Sequence, residues 1–244
     1  MGVELTVLGC SGSYGGPPFD ACSGYLVRSG GTTVWVDCGN GTFPHLQQHA
    51  AVEDLSAVVL THQHPDHCAD IYGLHVMMRY GLERGGLPVF APEGLEERLG
   101  AVVNGWGDAF DWKVIGDGDG VELGDLALHF SRTDHPPPTY AVELAGDGKR
   151  LVYTADTGPA WSVDAFEAGA DLVLSEATYQ EGHKSVPWHL TAQEAGRAAR
   201  DAKASQLMLT HIWPLFDPAL SVKEGSESFG APVMLAKPHL VTRL

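Results

Sequence analysis

The length, composition and charge of this chain limit what it can be. Apolar residues make up 44% of its 244 residues, which is usual for a protein with a buried core, and no apolar run approaches the roughly 20 residues that span a membrane. The formal net charge is −16 and the 15 Lys and Arg are scattered, so the long-range field argues against nucleic acid as a partner.

The N-terminal residues have neither a basic start nor a long apolar segment, so they do not have the form of a signal peptide. We therefore expect a cytoplasmic protein without a membrane partner. The four cysteines form no C-x-x-C pair, and their spacing matches no zinc finger or disulfide framework. We interpret them as reduced, buried thiols, because free cysteine packs as a small apolar residue. They are Cys10, Cys22, Cys38 and Cys68.

Strand patterns alternate with loops and a few helices along the chain. In chain order, strands are predicted at 4–8, 24–28, 32–36, 56–60, 121–130, 140–144, 151–154 and 207–209. Apolar residues at helical spacing predict helices over 71–80 and 95–103. A further helix is predicted after Thr191, since 191–194 has the T-x-x-E form of a capping box. No low-complexity linker divides the chain, so we expect a single domain over 1–244.

The two halves of the chain weakly echo each other. Residues 34–39 resemble 153–158, and 58–62 resemble 207–211. In each segment a strand pattern ends in a small polar residue next to an Asp or a His. Because ligand sites in layered α/β proteins favour strand ends, two such halves would form one site at their junction.

Residues 62–67 carry most of the chemical information. They place three histidines and one aspartate within six positions, directly after a short apolar strand. Neutral imidazole and carboxylate are the usual ligands of Zn²⁺ and related metals. The alternative is a polar surface loop, which a lone histidine would favour. An H-x-H-x-D-H run after an apolar strand instead predicts a metal site.

This run resembles the signature of the metallo-β-lactamase superfamily, and the likeness extends over nearly the whole chain. The resemblance implies an α/β fold, a four-layer αβ/βα sandwich with two pseudo-repeated halves. Asp37 resembles the family's buried aspartate that supports the metal loop. The implied metal ligands are His62, His64 and His135 for one ion, Asp66, His67 and His211 for a second, and Asp156 between them.

Two divalent metal ions are therefore expected, with Zn²⁺ the first candidate and Mn²⁺ or Fe as alternatives that such ligands accept. Two metals that share a water lower its pKa from about 15.7 toward roughly 7, and this favours hydrolysis. Asp66 would also act as a catalytic residue that orients the nucleophile and accepts its proton. The other histidines lack motif support and are interpreted as structural or solvated. They are His45, His49, His75, His129, His183 and His239.

Within the superfamily, the order of 175–179, 189–191 and 209–211 resembles the ribonuclease Z-like branch. In that branch the histidine before the helix assists phosphodiester cleavage, which implies that His189 is a catalytic proton donor. The alternative is that His189 packs beside the helix cap. The glycine- and serine-rich segment 8–13, followed by 16–17 and 23–26, resembles instead an atypical class of bacterial cyclic-nucleotide phosphodiesterases.

Two departures bear on the substrate. Asp156 follows His135 by only 21 residues, which leaves room for little more than a hairpin where tRNA 3′-endonucleases insert a tRNA-gripping arm. Ile212-Trp213-Pro214 stands where those enzymes tend to carry a serine and a nearby arginine. We therefore expect a phosphodiesterase for cyclic nucleotides or other small phosphodiesters. The alternatives are a tRNA 3′-processing ribonuclease Z, a lactonase or thioesterase, and a non-catalytic metal-binding scaffold. A homodimer is a further alternative that the sequence leaves open, because family members are often dimers.

Overall fold

The structure, a computed structural model, describes residues 2–244 and contains two mixed, seven-stranded β-sheets. The strands of the first sheet are β1 (Glu4–Gly9), β2 (Gly24–Ser29), β3 (Thr32–Val36), β4 (Ala57–Val59), β5 (Leu87–Pro92), β6 (Phe110–Ile115) and β14 (Val241–Arg243). The strands of the second are β7 (Gly120–Leu123), β8 (Leu126–Arg132), β9 (Tyr140–Gly146), β10 (Lys149–Tyr153), β11 (Leu172–Glu176), β12 (Leu207–Thr210) and β13 (Met234–Leu235).

Helices flank the two sheets. The α-helices are α1 (Thr42–Leu46), α2 (Pro65–Cys68), α3 (Ile71–Val76), α4 (Leu95–Val103), α5 (Ala192–Asp201) and α6 (Pro218–Phe229). A π-helical turn at Met77–Gly81 continues α3, and short 3-10 turns lie at Val52–Asp54 and Val163–Ala165. No helix within residues 2–244 is long and apolar enough to cross a membrane.

The two sheets repeat one topology, which explains the echo in the sequence. The spatial order is β14-β1-β2-β3-β4-β5-β6 in the first sheet and β13-β12-β11-β10-β9-β8-β7 in the second. Strands β3 to β6 pair in parallel, and so do β10 to β13. The Asp and His residues of the two similar sequence segments therefore lie at equivalent strand ends. In the first sheet they follow β3 and β4, and in the second they follow β10 and β12.

Alternation along the strands divides the core into two layers. On β3, the side chains of Val34 and Val36 join the core between the sheets, whereas Trp35 joins the core beneath α1, α3 and α4. Successive side chains of a strand point to opposite faces, so one buried strand can feed both layers. The small residues of α5, including Ala195 and Ala199, pack against the core of the second sheet. This arrangement confirms the predicted four-layer αβ/βα sandwich.

The start of α5 is the local structure that the sequence specifies best. Thr191 Oγ1 accepts a hydrogen bond from Glu194 N at 3.1 Å, and Glu194 Oε2 accepts one from Thr191 N at 2.8 Å. This is the complete capping box that the T-x-x-E pattern predicts. It fixes the point at which the chain enters α5, directly after His189 and Leu190.

One predicted strand is wrong in its form. The single strand predicted over 121–130 is a hairpin of β7 and β8, because the chain turns at Gly124 with a φ of 57° that favours glycine. The helix predicted over 71–80 is confirmed: it is α-helical over Ile71–Val76 and continues as the π-helical turn. As expected, the four cysteines are free and buried.

Candidate metal centre

The side chains of the candidate metal site and their support, Asp37, follow the carboxyl ends of four strands. Asp37 follows β3, and His62 lies in the loop between β4 and α2. Asp156 follows β10, and His211 follows β12 directly. Two of these positions need an unusual backbone, since Asp37 and His211 have positive φ angles of 57° and 53°. The sheets thus bring residues far apart in sequence to one point between them.

The structure assembles the predicted ligands into two groups. Within each group, every residue offers one ligand atom, and these atoms lie within 4.8 Å of one another. The groups are His62, His64, His135 and Asp156, and Asp66, His67 and His211. Asp156 faces both groups, because its Oδ2 lies 3.6 Å from His62 Nε2 and its Oδ1 lies 3.3 Å from His67 Nε2.

The spacing of the ligand atoms suits a metal ion. His64 Nδ1 lies 3.1 Å from His62 Nε2 and 3.3 Å from His135 Nε2. In the second group, His211 Nε2 lies 3.3 Å from Asp66 Oδ2. Atoms that bind one tetrahedral zinc at about 2.0–2.2 Å are about 3.2–3.6 Å apart, so these separations are close to what coordination requires.

Hydrogen bonds on the far ring nitrogens direct the ligand atoms inward. His135 Nδ1 donates to the carbonyl oxygen of Trp188 at 3.0 Å. His67 Nδ1 donates to Asp37 Oδ2 at 2.7 Å. His135 is neutral, so its Nε2 keeps its lone pair and points it into the site, as metal-binding histidines require. Burial lowers the pKa of His67, but the carboxylates of Asp156, Asp37 and Asp66 outweigh it and raise that pKa well above the ordinary value, so a metal ion at Nε2 would replace a proton there.

Asp37 supports the ligand-bearing segment, residues 62–67, through a set of hydrogen bonds. Its Oδ1 accepts from Thr61 N at 2.9 Å, and its Oδ2 accepts from the hydroxyl groups of Thr61 and Tyr153, each at 3.0 Å. The His67 bond adds a fourth donor, and the carboxylate is fully buried. Asp37 thereby joins the second sheet, through Tyr153, to the loop that carries His62 and to His67 on α2. This is the supporting position that the sequence predicts for it.

The charge states of the site also favour a cation. Burial lowers the pKa of His62, His64 and His135 below the ordinary value for histidine. These rings are therefore neutral at neutral pH and can act as ligands. Burial opposes ionisation of Asp66 and Asp156, but neighbouring histidines outweigh it and hold the pKa of both carboxyl groups below the ordinary value.

Two buried polar atoms at the centre test whether metal ions fit. His67 Nε2 and Asp156 Oδ1 are buried and lie 3.3 Å apart, yet neither forms a well-directed hydrogen bond. Leaving one buried polar group unsatisfied costs about 1–3 kcal/mol, so folded proteins retain such atoms mainly where they serve a purpose. A divalent cation contacting both would satisfy them at once. The residues present therefore fit the metal ions that the sequence predicts.

His189 lies beside these groups, next to Glu176, a residue for which the sequence predicts no role. His189 Nδ1 donates to the buried carboxylate of Glu176 at 2.9 Å. His189 also forms a close group with Asp156 and His211, within 4.8 Å of one another. Burial lowers the pKa of His189, but Glu176 outweighs this and raises it to about 9.

Glu176 is fixed by its own surroundings. Thr157 N donates to its Oε1 at 2.9 Å, and the hydroxyl group of Thr178 donates to its Oε2 at 2.8 Å. Thr178 Oγ1 also lies 2.9 Å from His211 Nδ1, so one hydroxyl group joins the Glu176–His189 pair to a metal ligand. A charged residue closing the apolar strand β11 is costly unless it is paired. That cost is the sequence signal that could have identified Glu176.

The remaining predicted features lie where their patterns suggest. The glycine- and serine-rich segment after β1 reaches the site, since Ser13 N donates to Asp66 Oδ2 at 2.9 Å. The 21 residues from His135 to Asp156 hold the hairpin of β9 and β10. The other histidines lie outside both ligand groups: His75 bonds to the Trp106 carbonyl oxygen within the core.

Comparison with known proteins identifies the family. A family model described as the beta-lactamase superfamily domain matches residues 32–212. The chain belongs to the metallo-β-lactamase superfamily. Within that superfamily, the probable metallo-hydrolase YhfI of Bacillus subtilis is 34% identical over 253 residues, which span 98% of this chain and 99% of the relative. The crystal structure of YhfI matches with a TM-score of 0.90, covering 99% of both chains at 29% identity.

More distant members of the superfamily have names that refer to particular reactions. Ribonuclease Z of Mycobacterium bovis is 28% identical over 250 residues, or 88% of each chain. A diphosphatase of the PhnP family shares the fold at a TM-score of 0.79 and 21% identity, covering 100% of this chain and 98% of the other. As a metallo-β-lactamase superfamily member, the chain is a metallo-hydrolase with a His/Asp cluster capable of binding metal.

Proposed function

We propose that the chain is a phosphodiesterase with two bound metal ions that acts on cyclic nucleotides or other small phosphodiesters. The Glu176–His189 pair at the edge of the ligand groups is the observation that carries this proposal. An alkoxide leaving group must gain a proton as its bond to phosphorus breaks, and a histidine held beside the metals can supply it. A site built only to bind metal would have no need of this pair.

The two ligand groups support a proposal of two metal positions. His62, His64 and His135 would hold one divalent ion, Asp66, His67 and His211 the other, and Asp156 would contact both. Bound metal ions of this kind supply Lewis acidity, which makes water acidic enough to attack at neutral pH and offsets charge on the phosphoryl oxygens. Zinc is the first candidate, because imidazole and carboxylate ligands suit it.

The side chains of the chain itself have distinct tasks in this reaction. Asp66 is held by Ser13 N, so its carboxylate can orient the attacking water and accept its proton. His189 donates a proton to the leaving oxygen through Nε2, since its Nδ1 is bonded to Glu176. Glu176 positions the His189 ring and stabilises its protonated form. Neither a serine nor a cysteine nucleophile is required.

The size and charge of the molecule favour a small substrate. A short hairpin links β9 and β10, with only Asp147 and Gly148 between the strands, so this region has no protruding arm. The net charge of −16 repels long polyanions, whereas one phosphodiester can be held mainly by bound cations. Ribonuclease Z and the PhnP-family diphosphatase, by name, also act on phosphate linkages, which supports the choice of a phosphodiester.

A substrate panel tests this proposal. Purified protein is incubated with bis(p-nitrophenyl) phosphate, cyclic AMP, a pre-tRNA with a 3′ trailer, and an acyl lactone. We expect hydrolysis of the two small phosphodiesters and no efficient cleavage of pre-tRNA. Preference for pre-tRNA would indicate a ribonuclease Z, and preference for the lactone would indicate carbonyl chemistry on the same ligands. An inactive protein with full metal content would favour a binding scaffold.

A further inference from the structure

Two aromatic side chains at the edge of the site have no evident structural task. The ring of Tyr14 is 42% exposed, and that of Trp213 is half-buried. Their centroids lie 5.7 Å apart at an interplanar angle of 89°, an edge-to-face pair. Large aromatic groups that stay in contact with solvent beside a ligand site are candidates for binding rather than for core packing.

The backbone around this aromatic pair is joined directly to the second ligand group. Ser11 and Ile212 form a parallel β-bridge, and Gly12 N donates to the carbonyl oxygen of Ile212 at 3.1 Å. His211 N donates to the carbonyl oxygen of Cys10 at 2.9 Å. The approach is so close that a Cβ at Gly12 would lie 2.6 Å from the carbonyl oxygen of His211. Backbone hydrogen bonds thus join the segment that bears Tyr14 to the segment that bears His211 and Trp213.

Local hydrogen bonds hold the backbone of Tyr14, while its ring contacts Trp213 and remains partly exposed to solvent. Ser11 Oγ donates to the carbonyl oxygen of Tyr14 at 2.6 Å, and Tyr14 N donates to that of Gly12 at 2.8 Å. The preceding residue, Ser13, donates its backbone N–H to Asp66 Oδ2. Tyr14 is therefore one residue from a direct contact with a ligand, and Trp213 is two residues from His211. Both rings therefore belong to segments that contact the second ligand group directly.

We propose that Tyr14 and Trp213 form a stacking platform for the nucleobase of the substrate, in which the base stacks on the face of one ring while the other ring, edge-on to it, holds that ring in place. This inference rests on the proposed phosphodiesterase function and narrows its substrate class from small diesters in general to nucleotides. Stacking attracts a base through its π-face and needs no positive charge, so it suits a protein of net charge −16. Because every base has a π-face, the platform predicts preference for a base without strong preference among bases.

The test compares two cyclic phosphates in wild type and in single variants. Cyclic AMP carries a base, and the 3′,5′-cyclic phosphate of methyl riboside does not. In Tyr14→Leu and Trp213→Leu, we expect KM for cyclic AMP to rise on the order of 5- to 100-fold, the size of one lost stacking contact, with kcat unchanged. KM for the base-free substrate should stay as it is. Tyr14→Phe and Trp213→Phe should restore most of the affinity for cyclic AMP.

One further variant serves as a control for an exposed aromatic group. Tyr80 is 69% exposed on the π-helical turn. Tyr80→Leu should leave both KM values unchanged. Trp188 is 38% exposed on the side of the other ligand group. If Trp188→Leu raises KM for cyclic AMP and the Tyr14 and Trp213 variants do not, the base binds elsewhere and the proposal is wrong.

A binding measurement separates this inference from the proposed function. Adenosine 5′-monophosphate should quench the tryptophan fluorescence of the wild-type protein, and Trp213→Phe should lose that part of the change. If both cyclic phosphates are hydrolysed with the same KM and no quenching depends on Trp213, the platform is refuted while the phosphodiesterase stands. If neither substrate is hydrolysed but the Trp213-dependent quenching persists, the phosphodiesterase proposal fails and nucleotide binding stands.

Discussion

Replacing Asp37 with asparagine should weaken metal binding, although Asp37 is not itself one of the metal ligands. Asp37 receives four hydrogen bonds, from Thr61 N, the hydroxyl groups of Thr61 and Tyr153, and His67 Nδ1. An asparagine keeps one acceptor oxygen and gains an amide group that can only donate. In either orientation, at least one of these buried N–H or O–H donors faces another donor.

The structure sets the size of the effect. The arrangement that preserves most contacts places the amide group at Oδ1, where it opposes the N–H of Thr61 and leaves one donor unpaired. One unpaired buried donor costs about 1–3 kcal/mol of the free energy of unfolding. For a chain of this length, each kcal/mol lowers Tm by about 2–4 °C, so we expect a fall of about 2–12 °C. Loss of the negative charge beside His67 should also reduce metal affinity by about 10- to 100-fold.

Thermal unfolding and a metal-competition titration measure these two effects. Asp171→Asn is the matched control, since Asp171 accepts bonds from Lys149 Nζ at 2.7 Å and Arg150 N at 3.0 Å, far from the ligand groups in an exposed ion pair. That variant should change stability by less than about 1 kcal/mol and leave metal affinity intact. If Asp37→Asn lowers Tm but binds metal as tightly as wild type, Asp37 stabilises only the fold and our reasoning about the metal loop is refuted.

Three further outcomes follow from the site. His189→Ala should keep its metals but lose about 10²–10⁴ in kcat on cyclic AMP, with far smaller loss on bis(p-nitrophenyl) phosphate, whose leaving group needs little protonation. The exposed His183→Ala is its control, and equal losses on both substrates would exclude proton donation. Asp156→Ala should lose metal and nearly all activity. Full metal content in this variant would show that Asp156 is not a ligand shared by two metal ions. Because a cyclic nucleotide carries one charge, kcat/KM on cyclic AMP should depend weakly on salt; a polyanion substrate would show a slope of about −0.7 per contacted phosphate.

Much of the site could be predicted because its ligands carry local signals. Residues 62–67 are consecutive, so one loop and the start of the short helix α2 present four of the ligand side chains. The echoed segments 34–39 and 153–158 place Asp37 and Asp156 after strands, and the two sheets with the same topology explain that likeness. Glu176 was missed because its role depends on the pairing of β11 with β10 and β12, which brings it to His189 and Thr157. Its neighbours in sequence indicate only an apolar strand that ends in a charge, and they do not show which group pairs with that charge.

The sequence does not predict some elements whose side chains are only partly buried. Strand β6 alternates poorly, since both of its ends are buried while Asp111, Lys113 and Val114 between them are largely exposed. Helix α6 was not predicted, although Asp217 caps it by accepting from Ala219 N at 3.0 Å and Pro218 occupies its first turn. Those two residues are a start signal for a helix, but the polar residues and glycine that follow obscure the apolar face.

The metal content per chain tests the central claim most directly. Protein purified without chelator is analysed for its elements, together with His135→Ala and His211→Ala, each of which removes a ligand from one group only. We expect close to two equivalents of metal in wild type, mostly zinc, and about one in each variant, with activity lost in both. A folded wild-type chain that holds no metal, and gains no activity when Zn²⁺ or Mn²⁺ is added, would contradict the account.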